Sequence, residues 1–116
     1  MTIKFANHKN ETERQIIVLL VEDCLAAGYK LGVNDGEDTT LRDSTDEAAI
    51  FGAMSTTDED YLLVKGEALR AASTCDSDEG WIRLIYGNGC DVLSDNTVNV
   101  PESVMARAME LAERFR

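Results

Sequence analysis

The spacing of apolar residues changes along this chain from a helical period to a strand period. Between Ile16 and Leu25 the apolar residues recur at intervals of three and four, which is typical of an amphipathic helix. Residues 81–86 instead alternate, which places Ile82, Leu84 and Tyr86 on one face of a strand and Trp81 on the other. The sequence therefore predicts helices packed on an antiparallel sheet.

Local signals predict where the other elements begin and end. Residues 10–13 and 44–47 have the capping-box spacing that opens a helix, and Gly28 is placed to end the first helix in the left-handed conformation. Pro101 fits the first turn of a final helix. Residues 87–89 (Gly-Asn-Gly) predict a tight hairpin turn. Strands are predicted at residues 29–33, 61–64, 81–86 and 90–93, and residues 67–73 fit either a helical turn or part of a wide hairpin.

This order predicts a single α+β domain over residues 1–116. We expect an antiparallel β-meander of about three or four strands, N- and C-terminal helices packed on one face, and a short middle helix. The apolar fraction of 44% is sufficient for a core, and no apolar run approaches the ~20 residues of a membrane span. Residues 1–5 lack the features of a signal peptide, and the three cysteines form no CxxC pair, so we expect a cytoplasmic protein.

The charge is concentrated in one segment. Nine of the 22 acidic residues lie between residues 34 and 60, where Arg42 is the only basic residue. The net charge of the whole chain is −11. Such a balance argues against direct binding of nucleic acid, which requires Lys and Arg at phosphates. The segment either forms a surface for a basic partner or consists of solvated caps and turns. This acidic band consists of Asp35, Glu37, Asp38, Asp43, Asp46, Glu47, Asp58, Glu59 and Asp60.

No pattern indicates catalysis, a cofactor or a metal. A calcium-binding loop beginning at Asp76 or Asn34 would have the wrong residues at its fixed positions. His8 is the only histidine, so a paired acid and base is missing. Cys24 and Cys90 are interpreted as small buried residues and Cys75 as a loop thiol, although a Cys–His nucleophile stays open. Trp81, beside Arg83, is either partly core or an anchor for a partner.

Three segments together resemble a family of small proteins found in bacteriophages and prophages. They are GYKLGVNDGE at residues 28–37, STTDEDYL at 55–62 and GWIRLIYGNGCDVLSDN at 80–96. The resemblance implies a phage setting and an α+β fold, and it implies no catalytic residues. The chain departs from the family at Asn96, where an aromatic residue is expected, and in a longer stretch at residues 67–79.

These observations lead to two hypotheses about function. The first is a phage-type inhibitor without enzymatic activity that binds a basic host protein by presenting a carboxylate surface that mimics nucleic acid, as in anti-defence proteins. Its partner-binding residues would be the acidic band and Trp81. The alternative is a self-associating structural or accessory module without mimicry. Neither requires a membrane, and a homodimer is compatible with both.

Overall fold

The computed structural model describes residues 11–54, 58–71, 77–87 and 89–115, with Ala71 described by its backbone alone. The helices are α1 (Glu11–Ala26), α2 (Glu47–Ala53), α3 (Glu67–Ala71) and α4 (Ala106–Arg114). The strands are β1 (Lys30–Asn34), β2 (Thr39–Ser44), β3 (Glu59–Lys65), β4 (Glu79–Ile85) and β5 (Leu93–Asn96). Two 3₁₀ turns lie at Gly89–Asp91 and Glu102–Val104.

In these residues the strands form one antiparallel sheet in the order β2-β1-β3-β4-β5. The predicted α+β class is confirmed, but the sheet has one strand more than the upper expected number. Strand β2 was missed because it carries only one large apolar residue, Leu41, and polar strands of this kind are tolerated at a sheet edge. The chain returns from β2 through α2 to pair β3 with the free edge of β1, so only β3, β4 and β5 form a meander.

One core lies between the helices and one face of the sheet. The buried positions alternate along β3 and β4, as in Leu62 and Val64 or Ile82 and Leu84. Helix α1 contributes the stripe that its spacing predicted, and α4 packs beside it through small residues. The core residues of the two helices are Ile16, Ile17, Leu20, Val21, Cys24, Ala108 and Ala112. The predicted placement of the two terminal helices on one face is therefore confirmed.

Several local predictions are confirmed and others shift. Gly28 ends α1 with a φ of +92°, as expected. Helix α2 begins at Glu47, two residues later than a Ser44 cap would place it, because the Asp46 side chain accepts from the N–H of Ala48 at 3.0 Å. The uncertain segment after β3 contains helix α3. Asn10, of the first capping box, lies outside the described residues.

Candidate partner-binding surface

Part of the predicted acidic band gathers at one end of the sheet, where the β1–β2 turn lies beside the start of β3. The antiparallel pairing of Asn34 with Tyr61 brings these two segments together. Four of the carboxylates line an open groove of about 390 Å³ with Gly36. We call these four, together with the neighbouring exposed Asp38, the acidic rim: Asp35, Glu37, Asp38, Asp58 and Glu59.

The β1–β2 turn, which carries three of the five residues of the acidic rim, is held by its own side chains. The Asp35 carboxylate accepts from the N–H groups of Asp38 at 2.8 Å and Glu37 at 3.0 Å. Asn34 Oδ1 accepts from the N–H of Gly36 at 2.8 Å, and Gly36 takes a φ of +101° that favours glycine. The N–H groups of Asp38 and Glu37 lower the pKa of Asp35, so it is an anion at neutral pH. The exposed Glu37 and Asp38 therefore project from an ordered turn.

The guanidinium of Arg83 partly offsets the charge of the acidic rim. Arg83 donates to the Glu59 carboxylate at 2.8 Å, and this hydrogen bond raises the pKa of Arg83 above its usual value. The guanidinium carbon also lies 5.9 Å from the ring centroid of Tyr61. Of the five carboxylates of the acidic rim, Glu59 is thus the one that contacts Arg83.

Asp60 does not belong to this surface, and its prediction as a partner-binding residue was wrong. Strand β3 begins at Glu59, so the alternation places Asp60 on the same face as Leu62. The side chain is fully buried and accepts a hydrogen bond from the hydroxyl of Tyr86. A carboxylate in this position is enclosed within the fold and is not exposed for binding another protein.

The other acids of the band lie away from the acidic rim. Strand β2 runs antiparallel to β1, so its last residues reach the opposite end of the sheet from Asp35. There Asp43 lies 3.7 Å from the ammonium of Lys65, while Asp46 caps α2 and Glu47 occupies its first turn. Because they lie at or beyond the end of β2, away from Asp35, these three acids do not extend the rim. We call the bases Lys30, Arg42 and Lys65 the lysine end.

The face of the sheet opposite the helices, which we call the open face, carries large apolar residues in its centre. Cross-strand partners share a face, so the register places Leu63 beside Trp81 and Tyr61 beside Arg83. The rings of Tyr61 and Trp81 meet edge to face, with centroids 5.2 Å apart. Trp81 is partly buried by this contact and not by the core. Its predicted role as a partner anchor stays a prediction.

The Glu13 side chain binds the β4–β5 connection, which is itself hydrogen-bonded to the acidic rim. Its carboxylate accepts from the N–H groups of Gly87 at 2.8 Å and Gly89 at 2.7 Å. The adjacent N–H of Tyr86 donates to the carbonyl of Asp58 at 3.0 Å, which links the β4–β5 connection to the rim. The described part of this connection is no tight hairpin, because a 3₁₀ turn follows at Gly89–Asp91. The strand predicted at residues 90–93 is thus replaced by β5 at Leu93–Asn96. Asn88 lies outside the described residues.

Sequence reasoning missed Glu13 although a signal was present. Glu13 precedes Ile16, Ile17 and Leu20 by three, four and seven residues, so it lies in the apolar stripe of α1. An acid in such a stripe is buried and needs donors. The same argument applies to Asp60, two residues before Leu62 in an alternating strand.

The two described cysteines lie in the core or packed against it. Burial, and to a smaller degree Asp23, raises the pKa of Cys24 to about 12, so this thiol is protonated and a poor nucleophile. Cys90 is partly buried, and His8 and Cys75 lie outside the described residues. Within the described ranges no group of three or more His, Cys, Asp or Glu side chains is arranged to hold a metal ion.

No protein-family model matches this chain, and neither the curated proteins nor the solved structures contain a match. None of the helices in the described part of the chain combines the length and apolar character needed to cross a bilayer. The resemblance to phage and prophage proteins therefore stays a prediction.

Proposed function

We propose that this chain is a phage-type binding protein without enzymatic activity that engages a basic host protein through the acidic rim. The observation that carries the proposal is the groove at the end of β1 and β3, which four carboxylates line with a fifth, Asp38, beside them. Like charges this close together repel one another and weaken the fold. Binding to a basic surface would neutralise them, and the relief of this repulsion would favour the complex.

The host surfaces that fit best are those that bind nucleic acid. Such surfaces carry clustered Lys and Arg to neutralise phosphates, and a rigid row of carboxylates competes for the same cations. The rim is suited to this role because Asp35 fixes its turn and Glu13 holds the neighbouring connection. In this proposal the protein acts as an inhibitor that occupies a nucleic-acid site, and it contacts no nucleic acid itself.

The first experiment is affinity capture from bacterial lysate with three baits. One bait is the wild-type protein, the second carries Lys at positions 37, 38 and 58, and the third carries Lys at 102, 110 and 113. Both triple variants change the net charge by the same amount, but only the first alters the acidic rim. The proposal expects a basic protein that is captured by the wild type and the third bait and lost from the second. Equal loss from both variants would assign the binding to net charge and refute a localised site.

A further inference from the structure

The open face carries more large apolar side chains than a solvated sheet face normally does, and each of them is half-buried. An antiparallel sheet that is covered on one side normally presents polar residues on the other. Here half of the outward positions of β3 and β4 carry large apolar side chains, namely Tyr61, Leu63, Trp81 and Ile85. The described helices pack on the opposite face, and these four residues belong to neither the core nor the residues packed against it.

Charge is distributed unevenly along the strands of this face. The register of Lys30 with Lys65 places two cations side by side at one end, and Arg42 lies next to them. The acidic rim lies at the other end, beyond the pairing of Glu59 with Ile85. The open face is therefore an apolar centre between a lysine end, where bases and acids are mixed, and a strongly acidic end.

We propose that a second copy of this chain covers the open face in a two-fold symmetric dimer. Two sheets packed face to face can be related by a two-fold axis that lies between them and runs either along the strands or across them. With an axis along the strands, the acidic rims of the two copies would face each other. An axis across the strands sets each rim against the lysine end of the other copy, so the charges select this arrangement. The proposal goes beyond binding of a host protein and does not require it, but it involves the same acidic rim, so a second copy and a host protein would compete for that surface.

The available area is at the lower limit for a specific interface. In chain order the five strands have 5, 6, 7, 7 and 4 residues. With strands about 4.8 Å apart and roughly 3.4 Å per residue, the face covers roughly 470 Å². Two such faces cover on the order of 950 Å², close to the ~1,000 Å² expected of a specific interface. Because each copy carries a net charge of −11, the apolar centre must supply the affinity, and the charged ends set the orientation.

Two single charge reversals test both the dimer and its orientation. In the proposed arrangement residue 65 of one copy faces residue 58 of the other. Lys65→Glu therefore places a carboxylate against the acidic rim of the second copy, and Asp58→Lys places an ammonium against its lysine end. We expect dimers of the wild type and monomers of each variant by sedimentation velocity at equal concentration. An equimolar mixture of the two variants should form a heterodimer, because both of its contacts pair opposite charges. Both side chains are exposed or half-exposed, so the fold should be retained, as checked by circular dichroism.

A second pair of variants separates the open face from other apolar surface. Trp81→Glu should give a monomer, whereas Met109→Glu, on the exposed side of α4, should leave the dimer intact. A wild type that is monomeric up to millimolar concentration, a mixture that does not associate, or a dimer lost only with Met109→Glu would each overturn the proposal. Lys65→Glu leaves the acidic rim unchanged, so capture of a host protein by this monomer would uphold the proposed function separately.

Discussion

Glu13 and Gly87 are 74 residues apart in the chain, yet the Glu13 carboxylate accepts the N–H of Gly87 at 2.8 Å. This contact joins the first turn of α1 to the connection between β4 and β5. The same carboxylate oxygen accepts the N–H of Gly89, so one side chain satisfies two backbone donors. The two glycines have φ values of +95° and +59°, which lets the backbone turn its N–H groups towards one point.

The first prediction concerns this contact. Glu13→Ala removes the acceptor for two backbone donors and should lower the free energy of unfolding by about 1–3 kcal/mol, measured by urea denaturation. Glu13→Gln retains an acceptor oxygen and should lose less. The matched control is Gln15→Ala on the exposed side of α1, which should change stability by less than about 0.5 kcal/mol. Equal losses in Glu13→Ala and Gln15→Ala would show that the contact contributes nothing.

The second prediction compares two glycines. A Cβ at Gly80 would lie 2.5 Å from Thr97 Oγ1 and 2.6 Å from Asn99 Oδ1, which hydrogen-bond to each other at 2.7 Å. Gly80→Ala should therefore destabilise the protein by about 1–3 kcal/mol. Gly52 lies in α2 with open space around it, so Gly52→Ala should stabilise by up to about 1 kcal/mol. Thermal melts of both variants check the pair, and a stable Gly80→Ala protein would contradict the close packing of Thr97 and Asn99.

The third prediction follows from the lowered pKa of Asp35. The N–H groups of Asp38 and Glu37 favour the carboxylate in the folded state, so the folded pKa lies below the ordinary value of 3.8. The resulting stabilisation is fully present above the unfolded pKa and is lost as the pH falls through the folded pKa. Asp35→Asn retains the accepting oxygen but does not titrate. Urea midpoints should therefore fall more between pH 5 and pH 3 in the wild type than in Asp35→Asn, and identical falls would exclude this contribution.

The fold was predictable where periodicity is local. Helix α1 and strand β4 follow from the spacing of Ile16, Leu20, Ile82 and Leu84, because burial on one face imposes a period that the sequence shows directly. Strand β2 was not predictable in this way, since an edge strand needs no apolar alternation. Its hydrogen bonds to β1 hold it in the sheet.

The candidate surface was predictable in composition but not in arrangement. The acids of residues 34–60 were visible as a group, yet the antiparallel return of β2 moves Asp43 to the opposite end from Asp35. Asp60 was misplaced because β3 begins earlier than its apolar residues indicate. The first outcome depends on the pairing of β2 with β1, which periodicity does not show. The second follows from the alternation along β3, which places Asp60 on the same face as Leu62.

The most direct test of the acidic rim is the association rate of the captured host protein with the two triple variants used as baits. If the rim is the binding surface, Lys at positions 37, 38 and 58 should lower the association rate at least tenfold at low salt, since opposite charges steer the encounter. Lys at positions 102, 110 and 113 should lower it much less, and raising the salt concentration should reduce the difference between the two variants. Equal association rates for the two variants at low salt would contradict the account.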